Sequence, residues 1–172
     1  PTWDGQRGGN VPRLVEQFKR QALQGVEVIL SLRESPNGRS RNLGAERAQG
    51  KFLVFVDDDA ILGDDSVLER LVEPLRKYGD VGMTGVSQQI PLDANEFQHR
   101  CAGQIPRAVS PVVEELTDSD MVTTLCLAIR RELFELIGGM NDRIRAGVDP
   151  DLRHRVREAG YRVVVVPHAW AY

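Results

Sequence analysis

The chain has 172 residues and a net charge of -3, and 41% of its residues are hydrophobic and 27% charged. This composition is typical of a globular domain with a sizeable core, and the slight negative charge argues against a dedicated nucleic-acid binder, which usually carries a basic face. Two cysteines are too few for a disulfide framework, and no apolar run approaches the roughly 20 residues of a membrane-spanning helix.

Strand and helix signals alternate along the first half of the chain, which favours an α/β fold. A helix is predicted from Asn10 until Gly25 stops it, and Asp64 or Asp65 is predicted to cap a later helix. The remaining predicted elements are a strand over residues 26–32, a turn over 35–38, a helix over 39–49, and strands over 51–56 and 81–87.

The periodic pattern weakens between about residue 88 and residue 120, where prolines 91, 106 and 111 interrupt it. A long irregular stretch inside a compact domain is usually functional. Regular elements return as a strand over 121–129, a helix over 130–137, a helix over 149–159 and a buried strand over 161–166. We therefore expect one domain without internal repeats.

Three acids, Asp57, Asp58 and Asp59, directly follow the apolar run of residues 52–56. Adjacent carboxylates repel one another, so a fold tolerates them where a cation neutralises them or where water solvates them. Ligands of open α/β sheets bind beyond the carboxyl ends of strands. The residues themselves leave two interpretations open, a divalent-cation site that bridges phosphate oxygens or a solvated acidic turn.

Five stretches, taken in order, resemble the family 2 glycosyltransferases, which have the GT-A fold. They are Pro-Thr-Trp-Asp at 1–4, Arg-Asn-Leu-Gly at 41–44, Asp-Asp-Asp at 57–59, Ala-Ile-Arg-Arg-Glu at 128–132 with Gly138 and Gly139, and Asp-Pro-Asp-Leu at 149–152 with Arg155, Gly160, Tyr161 and Pro167.

The resemblance implies an α/β fold with a mixed, mostly parallel sheet and flanking helices. It further implies that the first strand of the sheet is missing from the chain, because that strand should precede Pro1. We expect a single domain over residues 1–172 that is truncated at both ends. Residues 1–87 would bind the nucleotide-sugar, and residues 88–172 would bind the acceptor and supply the catalytic base.

The activity that the resemblance implies is the inverting transfer of a hexose from a nucleotide-diphosphate donor to an acceptor hydroxyl. Its cofactor would be a divalent metal, Mn²⁺ or Mg²⁺, which offsets the charge of the leaving diphosphate. Asp59 is expected to bind the metal directly, and Asp57 to contact the metal, a metal-bound water or the ribose. Asp58 is expected to be structural. His168 is a further metal candidate, although it stands closer to Pro167 than the metal-binding His of the family does.

Asp149 is the candidate general base for the acceptor hydroxyl. Inverting transfer needs one carboxylate on the face opposite the leaving group. The local sequence also fits a plain helix N-cap at Asp149 followed by Pro150, and only the resemblance favours the base. Asp151 is predicted to pair with Arg155 across one helical turn.

Four further residues resemble the nucleotide-binding positions of the family. Thr2, Trp3 and Asp4 would contact the base and ribose, and Arg41 would lie near the diphosphate. The residues by themselves also fit simpler interpretations, in which Arg41 is a solvated charge on a helix and Trp3 is an exposed side chain.

Two departures from the family pattern bear on specificity. Leu32 and Arg33 stand where the family has acids that recognise the base, so Glu34 would have to substitute or the donor would not be a uridine nucleotide. Val148 stands where the family has a Glu that places the acceptor.

These departures keep a second hypothesis open, a degenerate domain that binds nucleotide-sugar without transfer. A third hypothesis is a phosphatase of the haloacid-dehalogenase type, which also uses a strand-end Asp-x-Asp. For the leading hypothesis the partners are a nucleotide-diphospho-sugar and a glycan or lipid-linked acceptor, with no nucleic acid. For a bacterial source, we expect a cytoplasmic enzyme of cell-surface polysaccharide or glycolipid synthesis, associated peripherally with the inner face of the membrane.

Overall fold

The structure, a computed structural model, describes residues 2–105 and 109–172; Pro1 and Pro106 lie outside them. No helix within these ranges is both long enough and apolar enough to span a bilayer. The described elements are α1 (Asn10–Arg20), α2 (Asn37–Arg47), β1 (Phe52–Val56), α3 (Val67–Lys77), β2 (Val81–Gln88), α4 (Glu96–Gln104), β3 (Thr117–Asp118), β4 (Cys126–Arg130), α5 (Arg131–Leu136), α6 (Val148–Glu158) and β5 (Arg162–Ala171).

The strands form one five-stranded sheet in the order β1-β4-β2-β5-β3. The sheet is mixed and flanked by helices, as expected, but it is not mostly parallel. Only β2 and β5 pair in parallel, whereas β4 runs antiparallel to both β1 and β2, and β3 runs antiparallel to β5. The reason is that β4 lies reversed between β1 and β2, which themselves point the same way. The amino end of β4 therefore lies beside the carboxyl end of β1.

The core has two parts because side chains alternate between the two faces of each strand. Leu53 and Phe55 of β1 pack on one face with residues of α5 and α6. The opposite face packs against α1 and α3, which contribute Leu14 and Leu71. Helices thus cover both faces of the sheet, and a binding site is expected at the ends of the strands.

Residues 26–32 do not form the predicted strand. Leu32 makes an isolated parallel bridge with Thr2, and Val26, Val28 and Leu30 are 39%, 47% and 44% exposed. A cavity of about 560 Å³ is lined by this segment and by the outer edge of β1. An extended backbone without a neighbour to exchange hydrogen bonds is not a strand. The expectation of a further strand in the sheet stays a prediction.

The irregular stretch contains one helix that the sequence pattern did not reveal. Asn95 starts α4 with a capping box, in which its side chain accepts a hydrogen bond from the backbone N–H of Gln98 and the Gln98 side chain accepts one from the backbone N–H of Asn95. The helix has no buried residue, so it lacks the apolar stripe by which amphipathic helices are recognised. Its exposed Phe97 and the nearby Leu92 have no core partner in the described residues.

Candidate active site

The acidic tip, residues 57–59, turns away from the sheet at the end of β1. The backbone N–H of Asp57 still donates to the carbonyl oxygen of Leu125 at 3.2 Å, and Ala60 N–H closes a turn onto the Asp57 carbonyl at 3.1 Å. The side-chain amide of Asn10 donates to the carbonyl oxygens of Asp58 and Ala60 at 2.8 and 3.0 Å. The start of α1 therefore fixes the backbone of the acidic tip.

Arg41 projects from α2 onto the first acid of this tip. Its Nη2 lies 2.5 Å from Asp57 Oδ1 and 3.1 Å from Thr124 Oγ1, and the Thr124 hydroxyl lies 3.5 Å from Asp57 Oδ2. Arg41 is 6% exposed, so the interpretation as a solvated helix charge is wrong. Thr124 was not predicted from the sequence, because only the antiparallel register of β4 brings it beside Asp57.

Burial raises the pKa of the Asp57 carboxyl above its ordinary value, although the Arg41 guanidinium opposes this shift. The negative charges of Asp149 and Asp59 raise the pKa of Asp57 further. Electrostatic effects of this kind require proximity. The structure therefore brings together three of the predicted site residues, Asp57, Asp59 and Asp149, in a region that also contains the buried Arg41.

Asp149 lies in the first turn of α6, as its second residue. The N-cap is Gly147, which has a φ of +80° that favours glycine, so the interpretation of Asp149 as a plain N-cap is wrong. Its half-buried side chain makes no hydrogen bond with any residue that the structure describes.

Hydrogen bonds between α2, α6 and the loop after α5 hold these elements together. The Asn42 side chain donates to the carbonyl oxygen of Met140 and accepts from its N–H, both at 2.8 Å. Arg155 donates to the carbonyl oxygen of Gly139 at 2.7 Å and to Asp151 Oδ2 at 2.6 and 2.9 Å. The predicted pair of Asp151 and Arg155 is confirmed. Three of the five resembling stretches therefore meet in one network that connects the helices carrying Arg41 and Asp149.

Asp59 contacts a cation of the chain itself. Arg7 Nη2 donates to Asp59 Oδ2 at 2.9 Å, and Arg7 Nε lies 3.7 Å from Asp58 Oδ1. Within residues 2–105 and 109–172, no three His, Cys, Asp or Glu side chains come together in a way that could hold a metal ion. Any metal at the acidic tip would consequently need ligands in addition to the His, Cys, Asp and Glu side chains of the described residues.

The predicted nucleotide contacts Thr2, Trp3 and Asp4 lie beside the end of the extended segment. Thr2 exchanges backbone hydrogen bonds with Ser31 and Arg33 at 2.9 and 3.1 Å, and its buried Oγ1 has no partner in the described part of the chain. Trp3 is 69% exposed, which leaves its ring free to stack on a ligand. Asp4 accepts hydrogen bonds from two backbone N–H groups, and these lower the pKa of its carboxyl.

His168 lies in β5 with a φ of +54°. Its Nδ1 is 3.4 Å from Glu114 Oε2, its N–H donates to the Val113 carbonyl, and its own carbonyl accepts from Arg70. None of these contacts leads to Asp57 or Asp59. The predicted role of His168 as a metal ligand stays a prediction that the described contacts do not support.

Comparison with known proteins shows the family to which the chain belongs. The family model described as Glycosyl transferase family 2 matches residues 6–138, which is more than half of the chain. The O-antigen biosynthesis protein RfbC of Myxococcus xanthus is 28% identical over 138 residues. The matched region is 72% of this chain and 11% of that protein, so the chain spans about a tenth of the length of this relative.

Solved structures share the fold at low sequence identity. The mannosyltransferase PcManGT from Pyrobaculum calidifontis, in complex with GDP-Man and Mn²⁺, is 19% identical with a TM-score of 0.61, covering 98% of this chain and 44% of that chain. GalNAc-T7 with UDP, GalNAc and Mn²⁺ is 17% identical with a TM-score of 0.61, covering 83% of this chain and 31% of that chain. TarS 1-349 from S. aureus is 13% identical with a TM-score of 0.60, covering 92% of this chain and 46% of that chain. These similarities show the GT-A fold.

Proposed function

The chain belongs to glycosyl transferase family 2, and from this premise we propose that it performs an inverting, metal-dependent transfer of a hexose. The sugar would pass from a nucleoside diphosphate to an acceptor hydroxyl. The observation that carries the proposal is the grouping of acids at the carboxyl end of β1, where Arg41 pairs with Asp57 at 2.5 Å and the charges of Asp59 and Asp149 act on Asp57. It supports a site that combines metal-binding carboxylates with a proton acceptor. Family membership removes the phosphatase alternative.

The acidic tip has the chemistry to hold a divalent cation. Mg²⁺ and Mn²⁺ prefer oxygen ligands and are often bound by one or two carboxylates together with substrate phosphates and water. Asp57 and Asp59 supply such carboxylates, and the ion pair with Arg41 fixes the position of the Asp57 carboxylate. When bound, the cation would stabilise the charge of the departing diphosphate. We leave His168 out of this ligand set because its contacts are elsewhere.

Asp149 would accept the proton of the acceptor hydroxyl. As the acceptor oxygen forms its bond to the anomeric carbon, the bond from that carbon to the diphosphate oxygen breaks, and the proton passes to the carboxylate of Asp149. Its side chain is half-buried in the first turn of α6 and is reachable from solvent.

Arg41 would act on the donor side through Asp57. Its ion pair orients the Asp57 carboxylate, and its buried Nε has no hydrogen-bond partner among the described residues. Thr2, Trp3 and Asp4 lie near the loop that carries Arg7 and would contact the nucleoside. For the acceptor we propose a saccharide of a cell-surface polysaccharide, because the Myxococcus relative is named an O-antigen biosynthesis protein. Two expectations stay predictions, namely a lipid-linked acceptor and a cytoplasmic location at the inner face of the membrane.

One observation favours the degenerate binding domain as a second candidate. Val148, at the position of the family Glu that places the acceptor, is 7% exposed and packs in the core, so it cannot contact an acceptor. A wild-type chain that binds a donor with Mn²⁺ but never consumes it, over a broad panel of saccharide acceptors, would favour this candidate.

The test of the transferase proposal begins with a thermal-shift screen of nucleoside diphosphates with and without Mn²⁺, because a ligand that binds the folded form raises its melting temperature. The selected nucleotide identifies the donor for a transfer assay. Asp149→Asn should lower transfer by about 10²-fold or more, while binding of the nucleotide with Mn²⁺ stays within about twofold.

The matched control is Asp142→Asn, which removes an exposed acid from the loop before the same helix. Transfer by this variant should stay close to that of the wild type. Undiminished transfer by Asp149→Asn would exclude Asp149 as the base.

A further inference from the structure

The guanidinium group of Arg7 lies on Asp59, the acid that is proposed to bind the metal. We infer that Arg7 is an exchangeable counter-ion of the acidic tip, which neutralises Asp59 until a divalent cation displaces it. The inference rests on the proposed function, because it assumes that a cation binds at Asp59. Arg7 would thus lower the affinity for the metal, because it competes with the metal for the carboxylate of Asp59.

The contacts of Asp59 support a competition of this kind. Arg7 Nη2 lies 2.9 Å from Asp59 Oδ2, and no other cationic side chain in residues 2–105 and 109–172 contacts that carboxylate. Both side chains are 56% exposed. An exposed ion pair of this type is weak, so it holds the carboxylate without blocking a stronger ligand. A divalent cation carries twice the charge and binds carboxylate oxygens directly.

The loop around Arg7 can release the side chain while its ends stay fixed. Asp4 Oδ1 accepts hydrogen bonds from the N–H groups of Gln6 and Arg7 at 2.8 and 2.9 Å, and Asn10 anchors the other end to the backbone of Asp58. Arg7 itself has a φ of +44°, which a side-chain-bearing residue adopts at a cost. Glycines with positive φ surround it at Gly5, Gly8 and Gly9.

The test measures Mn²⁺ binding to the full chain by calorimetry and by electron paramagnetic resonance at low ionic strength, first without nucleotide and then with the nucleoside diphosphate that the thermal-shift screen selects. Arg7→Gln should raise the association constant for Mn²⁺ about three- to tenfold, because it removes the competing charge. Arg7→Lys keeps the charge and should stay within about twofold of the wild type. Asp59→Asn should weaken binding strongly.

A matched control separates local competition from a change of net charge. Arg20 pairs with Asp65 at 3.6 Å, and the two side chains are 59% and 54% exposed, much like the pair of Arg7 and Asp59. This pair lies at the far end of α1, so Arg20→Gln should change Mn²⁺ affinity by less than about twofold. Urea unfolding of each variant confirms that the fold is retained.

The outcomes distinguish the inference from the function on which it rests. If Asp59→Asn weakens Mn²⁺ binding but Arg7→Gln does not strengthen it, or if Arg20→Gln strengthens it equally, the exchange by Arg7 is refuted and the metal site stands. If the wild type, Arg7→Gln and Asp59→Asn all fail to bind Mn²⁺ with and without nucleotide, the metal-dependent function and the inference are both refuted.

Discussion

Arg41 and Asp57 form an ion pair of 2.5 Å that connects α2 to the carboxyl end of β1. The two members differ in environment, since 6% of the Arg41 side chain and 30% of the Asp57 side chain are exposed. A nearly buried guanidinium needs a partner because an unpaired buried charge is costly. The pair therefore has a structural role as well as the proposed role in orienting a metal ligand.

Arg41→Met should lower the free energy of unfolding by about 2–3 kcal/mol. Removing one member of a fully buried pair typically costs roughly 3–5 kcal/mol, and the partial exposure of Asp57 reduces that cost. Urea unfolding at neutral pH measures the change. Arg39→Gln on the same helix is the control, because Arg39 is 60% exposed and pairs loosely with Glu34 at 3.8 Å, and its cost should stay within about 0.5 kcal/mol. Equal effects of the two substitutions would contradict the structural role of Arg41.

The raised pKa of Asp57 predicts a particular dependence of stability on pH. Because the folded pKa lies above that of the unfolded chain, the folded state holds the proton more tightly, and the contribution of Asp57 to stability is lost as pH rises through the folded pKa. The free energy of unfolding of Asp57→Asn, relative to that of the wild type, should therefore increase from about pH 4 upward and then level off. Urea unfolding at a series of pH values measures this difference, and a difference that decreases over this range would reverse the predicted sign.

Gly38 should be intolerant of a side chain because α2 approaches the loop before α6 at this residue. A Cβ atom there would lie 2.6 Å from the carbonyl oxygen of Asn141, a backbone atom that cannot move freely. Gly38→Ala should lower the free energy of unfolding by about 1–3 kcal/mol. Gly44 lies on the same helix, and a Cβ atom at Gly44 would meet no other atom within 4 Å, so Gly44→Ala should raise stability by about 0.5–1 kcal/mol. Chemical unfolding of both variants measures the two changes in the free energy of unfolding. Equal changes would contradict the prediction.

Cys126 should be inert to thiol reagents in the folded protein. Burial raises the pKa of its thiol to about 12, and the side chain is 1% exposed, so neither the reactive thiolate nor access is available near pH 8. Cys101 is half-buried on α4 and should react first. Titration with a chromogenic disulfide should show one thiol in the native protein and both in urea, and Cys101→Ser should remove the native signal. Rapid native reaction of Cys101→Ser would contradict the burial of Cys126.

Several elements could be predicted because their signals are local. Residue order and spacing are enough to predict the apolar run of β1 with the acids that follow it, the apolar stripe of α3, and the pair of Asp151 and Arg155. Residues 26–32 carry an equally strong strand signal, yet they pair with almost nothing, since strand formation depends on a neighbour. The sequence pattern did not predict α4, because this helix begins with a capping box but has no apolar stripe.

The sequence by itself determined the family resemblance, the candidate acids and most of the helices, because periodicity and motif spacing are properties of the chain. Only the tertiary structure decided which side chains meet. Arg41 and Thr124 stand 16 and 67 positions from Asp57, and Arg7 stands 52 positions from Asp59. Hydrogen-bond partners, burial and the pKa of Asp57 all depend on such distant neighbours, since Coulomb forces and desolvation depend on distance in space.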